Sequence, residues 1–171
     1  EAEEETAERL ENRTIDYVAT GEQQSDAGHS RAGYFYTGQY QSEYYISCAG
    51  GQTFTYKLET KKNTKNVGLM CRYTTADAGR MGTIYIDGDS LTTVAVKSAN
   101  QTEFYNEEYS VPESMLVKSD GTAKDTITVS FSANKNTMYP GLYYLRLTKD
   151  NVSQISNDVL TESPFTLKSE N

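Results

Sequence analysis

The chain has 171 residues, enough to bury the core of one domain without calling for a second. Its 24 Asp and Glu outnumber 16 Lys and Arg for a formal net charge of -8, a field that repels phosphate backbones and anionic bilayers and argues against nucleic acid or membrane as partners. No apolar run approaches the ~18 residues of a membrane span, and no apolar stretch opens the chain as in a signal peptide.

A chain that opens at Glu1 rather than Met is expected to be a mature or excised piece of something longer. Residues 1–12 read as a charged linker or fragment end, with helix formers throughout and only Ala2, Ala7 and Leu10 to bury. The β-sandwich domain is expected over residues 13–150, opening with a strand in which Ile15, Tyr17 and Ala19 share a face. Gly21 to His29 is a polar loop with two carboxylates and the chain's one histidine. An aromatic run follows, Tyr34, Phe35, Tyr36, Tyr40, Tyr44 and Tyr45, punctuated by Gly33, Gly38 and Gln39 without a sustained period of two. It is expected to be loop, with some of its rings facing solvent.

After the Gly50-Gly51 turn, Phe54, Tyr56 and Leu58 alternate with Thr55 and Lys57 as a half-buried strand. Val67, Leu69, Cys71 and Tyr73 form another inward row, with Met70 on the opposite face indicating cover on both sides. Thr74 to Gly82 is a loop containing Arg80, and Ile84-Tyr85-Ile86-Asp87-Gly88 then runs into a tight reversal, an Asp-Gly hairpin signal on which the chain is expected to centre. Ser98 to Asn106 reads as a polar connection, and Tyr109 to Pro112 as a short edge strand stopped by proline. Ile127, Val129 and Phe131 alternate with Thr and Ser in the clearest strand pattern of the chain, and Leu142 to Leu147 closes the domain. Residues 151–171 are a polar tail in which Phe165 and Leu167 offer a last strand.

About nine short strands at roughly ten-residue spacing, with no convincing internal helix, predict an all-β fold: an antiparallel β-sandwich, in its jelly-roll form. The 14 Tyr against 5 Phe and no Trp suit pleated, half-buried surfaces, so strand packing is the ordinary role of any one of them. Cys48 and Cys71 both fall in strands, which leaves open a cross-strand bridge or two buried thiols.

The ordered set Gly21-Glu22-Gln23-Gln24-Ser25-Asp26 with His29, Gly51-x-x-Phe54-Thr55-Tyr56-x-Leu58, Asp77-x-Gly79-Arg80, Glu103 to Pro112, Val129 to Ala133 and Gly141 to Leu147 resembles one module. It is the uncharacterised β-sandwich domain appended to bacterial glycoside hydrolases of the β-L-arabinofuranosidase type. More loosely, the strand, Asp-Gly and strand centre is similar to galactose-binding-like carbohydrate-binding modules. Thr53 and Gly82-Thr83 depart from the first family, standing where it carries a tryptophan and an aromatic–acidic pair. The resemblance implies a secreted, extracellular or cell-surface bacterial protein, a non-catalytic accessory role, and carbohydrate and the parent chain's other domains as partners. It supplies no site residues.

Those come from chemistry. Sugar binding needs an exposed aromatic face and a few planar polar groups; Tyr34, Tyr36 and Tyr40 with Gln39, Tyr139 beside Asn134 and Asn136, and Arg80 are the candidates, against strand packing for the rings and an Asp77 ion pair for Arg80. Glu22 with Asp26, or Asp87 with Asp89, offers oxygens for calcium, against the ordinary role of solvated turn carboxylates. One histidine, no serine motif and no phosphate loop leave nucleophilic and phosphoryl-transfer chemistry without equipment, while Glu22, Asp26, Asp77, Asp87, Glu103, Glu107 and Glu108 are available in principle for paired-carboxylate work. The alternative to a sugar-binding module is a spacer domain that packs on a catalytic domain and binds nothing.

Overall fold

The computed structural model describes residues 5–151. Among these described residues, eleven strands build two antiparallel sheets and a separate hairpin. The four-stranded sheet runs β1 (Thr14–Val18), β11 (Leu145–Thr148), β6 (Val67–Thr74), β9 (Phe104–Val111). The five-stranded sheet runs β2 (Ala32–Gly33), β5 (Thr53–Glu59), β10 (Thr126–Ala133), β7 (Met81–Ile86), β8 (Asp89–Ala95). The hairpin is β3 (Tyr36–Tyr40) with β4 (Glu43–Ser47).

Alternation drives the assembly. Phe54, Tyr56 and Leu58 of β5, Ile127, Val129 and Phe131 of β10, and Ile84 and Ile86 of β7 face Leu69, Cys71 and Tyr73 of β6 and Leu145 and Leu147 of β11, all buried in one core. The expected antiparallel β-sandwich of jelly-roll type is the observed fold. The inward row of β6 and its covered second face are as expected, and every residue of the strand except Arg72 is buried. Cys48 and Cys71 are buried free thiols, and burial pushes the Cys71 thiol up to about 12.

Five local expectations are corrected. In β1, the register slips between Thr14 and Asp16, so Ile15 and Val18 point inward while Tyr17 stays 42% exposed; a bulge breaks the period of two. The polar loop after β1 contains a helical turn and a half, α2 (Gln23–Gly28), as the segment before β1 does in α1 (Ala7–Asn12). The aromatic run is a hairpin whose two-residue turn places Gln41 and Ser42 at φ 48° and 69°; such turns ordinarily announce themselves with Asn-Gly, which is absent here. Strand β9 is twice as long as expected, because an edge strand carries charge on its open side and Asn106-Glu107-Glu108 masks its pattern. The Asp87-Gly88 turn forms as read, with φ 49° and 90°, but its hairpin lies at the sheet edge and β10 holds the centre. Phe165 and Leu167 lie outside the described residues.

Tyr139 ties the two sheets. Its ring is fully buried against the side of the Phe54–Phe131 pair, edge-on to both at 5.8 and 5.7 Å, while these two stack on each other at 5.0 Å. Its hydroxyl meets that of Tyr73 at 2.8 Å, pairing two polar groups that burial would otherwise penalise. A Cβ on Gly82 would stand 2.5 Å from the Tyr139 ring, so the β7 backbone must be bare there. Outside the core, His29 closes α2 onto β1: Nδ1 bonds the Ser25 carbonyl at 2.9 Å and Nε2 lies 3.0 Å from Asp16. Burial alone would lower the His29 pKa, but the bonds to Asp16 and to the Ser25 carbonyl and the charges of Asp16 and Glu59 outweigh it and raise the value above the ordinary 6.5.

Two consequences can be measured. Tyr139→Ala is expected to cost about 3–5 kcal/mol in urea unfolding, and Tyr139→Phe about 1 kcal/mol through the lost bond to the Tyr73 hydroxyl. Because folding favours protonated His29, its stabilisation is complete below the ordinary pKa and is lost as pH rises through the higher folded one. Melting temperature should therefore fall from about pH 6 to about pH 8, and fall less in His29→Gln.

Candidate functional site

Residues 139–143 carry the core out to a surface cleft. The Tyr139 N–H donates to the Cys48 carbonyl at 3.0 Å and its own carbonyl accepts from the Ser47 hydroxyl at 2.7 Å. Leu142 exchanges both backbone bonds with Ile46, which lays the β3–β4 hairpin against the sandwich. Gly141 N–H donates to Asp77 Oδ2 at 2.8 Å, and the Tyr143 N–H bonds the Arg72 carbonyl. The hairpin's far end is held by Glu43, which accepts two bonds from the Arg72 guanidinium at 3.0 and 2.9 Å in a fork that fixes direction as well as distance.

Between hairpin and sandwich lies a cleft of about 270 Å³ lined by Tyr36, Gln39, Tyr40, Tyr45, Asp77, Arg80 and Tyr143. Its rings brace each other. Tyr45 is edge-on to Tyr36 at 6.4 Å and tilted against Tyr143 at 5.4 Å; Phe104 supports Tyr143 at 5.0 Å and Tyr40 at 6.0 Å from behind. The Tyr45 ring crosses its cross-strand partner Gly38, where a Cβ would come within 2.6 Å of the Tyr45 hydroxyl oxygen. Glycine at 38 thus serves close approach, and the punctuation that looked like a loop is a seat for a ring.

The polar half comes from the turn after β6. A single turn of 3₁₀ helix, Thr75–Asp77, opens with the Thr74 hydroxyl accepting from the Ala76 N–H. It presents Asp77, whose carboxylate holds the Gly141 N–H and lies 3.4 Å from the Arg80 guanidinium. Arg80 is thereby aimed while remaining one-third exposed. Burial first, then the Asp77 charge, raises the Tyr143 phenol above its usual range, so it stays a neutral hydroxyl throughout the physiological range. The cleft combines aromatic faces with an amide, a guanidinium, a carboxylate and phenols. It carries one carboxylate, so the pair that glycoside hydrolysis ordinarily uses does not line it.

Of the predicted sugar-binding residues, Tyr36, Gln39, Tyr40 and Arg80 converge here. Tyr34, 68% exposed, does not line the cleft; its N–H pairs with the Thr53 carbonyl beside β2. Tyr139 is corrected: it is 0% exposed and its ring is a core wedge, because the Tyr-Pro-Gly turn signal said nothing of which way the ring folds. Asp77 was legible as the partner of Arg80. Tyr45 and Tyr143 join through tertiary packing, which their sequence spacing did not carry.

The cation pairs are corrected too. Asp26 is 0% exposed and faces the core, bonded by Tyr56 Oη at 2.7 Å, by the Gly21 N–H and by the Arg31 guanidinium, while Glu22 is exposed. Asp87 is held by Lys124 Nζ and the Thr128 N–H. Among the described residues no group of three or more His, Cys, Asp or Glu is placed to hold a metal ion.

A second cleft, about 310 Å³, lies beside Asp16, His29, Lys57, Glu59 and Thr126. No Phe or Tyr ring lines it, and Asp16 is already engaged with His29 and the Glu59 N–H.

A family model described as a family of unknown function (DUF6805) matches residues 9–148. No curated protein matches the chain. Among solved structures, a family 6 carbohydrate-binding module from Clostridium cellulolyticum in complex with xylose is similar at 12% identity and a TM-score of 0.53, covering 78% of this chain and 96% of that one. A family 35 carbohydrate-binding module from an environmental isolate is similar at 12% identity and 0.51, covering 70% and 86%. A family GH115 4-O-methyl-α-glucuronidase with specificity for decorated arabinogalactans is similar at 12% identity and 0.52, covering 81% of this chain and 18% of its own. Identities this low speak to fold, and in fold they bear out the looser of the two resemblances, to carbohydrate-binding modules.

Proposed function

The chain belongs to the DUF6805 family, a family of unknown function, and from the chemistry of its cleft we propose that it is a non-catalytic carbohydrate-binding module. One observation carries the reading: Tyr36, Tyr40, Tyr45 and Tyr143 meet Gln39, Asp77 and Arg80 in a single cleft at the surface of a rigid sandwich. Aromatic faces take the C–H side of a sugar ring, and amide, guanidinium and carboxylate take its hydroxyls. Tyr40 is the stacking platform, Arg80 and Gln39 donate, and Asp77 orients Arg80 while accepting.

The module works as an accessory part of a larger extracellular enzyme acting on glycans, of which the β-L-arabinofuranosidase type is one parent. The family GH115 enzyme supports this by analogy, since the matching fold there is a minor part of a longer chain. A shallow, wet cleft gives weak binding per site, so holding the parent enzyme at a polysaccharide relies on effective concentration.

Affinity electrophoresis and calorimetry against plant, host and microbial polysaccharides, with and without calcium, test the proposal. Tyr40→Ala and Arg80→Ala are each expected to weaken binding tenfold or more, about 1.4 kcal/mol, as central anchors do, with the fold retained. Silence of the folded wild-type protein across the panel would leave the spacer role in its place.

A further inference from the structure

A third cleft, about 370 Å³, is lined by Thr75, Lys97, Ser98, Ala99, Glu103 and Tyr105. It adjoins the aromatic cleft along two separate lines. Thr75 lines one and Ala76 and Asp77 the other, within one turn of 3₁₀ helix whose consecutive Cα atoms stand about 3.8 Å apart. Arg80 of the aromatic cleft exchanges backbone bonds with the 96 position, its carbonyl accepting from the Val96 N–H at 3.2 Å while Gly79 N–H bonds the Val96 carbonyl, and the next residue is Lys97.

The two clefts also repeat a chemistry. Each has a tyrosine ring, one cation and one carboxylate: Arg80 and Asp77 in the first, Lys97 and Glu103 in the third. The Thr75 hydroxyl braces the wall between them, accepting from the Glu103 N–H at 2.9 Å. Tyr105 is half-buried and steadied against Tyr73 at 6.1 Å, whereas Lys97, Ser98 and Ala99 are exposed. Ligand sites ordinarily enclose roughly 300–1,000 Å³; the aromatic cleft falls just under that range, and the two joined fall well inside it.

Resting on the carbohydrate-binding reading, we propose that the two clefts are subsites of one groove that crosses the Thr75–Asp77 turn and takes a run of consecutive sugar units, with Lys97, Glu103 and Tyr105 forming the second subsite. A module built this way recognises a glycan chain rather than a lone terminal sugar. Balanced charge in each subsite suits hydroxyl-rich units, with Arg80 and Lys97 also able to receive carboxylated ones.

Calorimetry on the whole chain with matched pairs of probes tests this: xylose with xylohexaose, galactose with a β-1,3-linked galactohexaose, and galacturonic acid with its hexamer. For at least one pair the hexamer should bind tenfold or more tighter than the monomer. Ala99→Trp, which fills the third cleft from an exposed position, and Lys97→Ala should each cut hexamer affinity about tenfold and leave the monomer unchanged, with near-ultraviolet circular dichroism as the check on folding. A hexamer no tighter than its monomer, or unweakened by Ala99→Trp while Tyr40→Ala abolishes binding, would overturn the extended groove and leave the carbohydrate module standing. A wild-type protein that binds no probe overturns both.

Discussion

Five residues, Tyr139 to Tyr143, hold core and surface in one piece. At one end a buried ring packs edge-on against the stacked pair Phe54 and Phe131 and shares a hydroxyl bond with Tyr73 of the opposing sheet. At the other, Gly141 fixes Asp77, Leu142 clamps the hairpin through Ile46, and the Tyr143 ring becomes a wall of the cleft. Because interiors are close-packed and resist deformation, a ring locked in the core fixes the backbone that follows it. The cleft therefore inherits its geometry from the sandwich, although most of its side chains sit on a hairpin and a turn. A site preorganised in this way loses little conformational entropy when a ligand arrives.

Glycine at two positions lets this happen. Gly82 admits the Tyr139 ring against β7, and Gly38 admits the Tyr45 ring across β3. Neither relies on a positive φ; both provide room where a side chain would collide. Inside and outside the fold the same device serves stability in one case and the cleft in the other.

The fold was legible where one face of a strand is buried and the other wet, as in β5 and β10, whose period of two reports burial directly. It was obscured where another constraint overrode that period: the bulge in β1, the charged edge of β9, and a hairpin turn made by Gln41 and Ser42. The site was legible in part for a similar reason. Tyr36, Gln39 and Tyr40 belong to one strand, and Arg80 follows Asp77 by one turn, so local spacing already grouped them. Their meeting depends on the hairpin folding back over the sheet, which rests on Leu142 and Arg72, far away in sequence. Tyr139 shows the reverse. An aromatic beside Pro and Gly looks like an exposed turn residue, and only tertiary packing sends its ring inward.

The electrostatics fit a neutral, hydroxylated ligand approached without strong steering. The chain is acidic overall, yet the cleft sets Arg80 against Asp77 and keeps the tyrosine phenol of Tyr143 protonated. The most direct test is nuclear magnetic resonance titration of isotope-labelled protein with xylan, arabinogalactan and pectin oligosaccharides. Amide shifts for a binding sugar are expected to gather at Gln39, Tyr40, Ala76, Asp77, Arg80 and Tyr143. Shifts gathering instead around His29 and Glu59, or no shifts with any of these sugars, would contradict it.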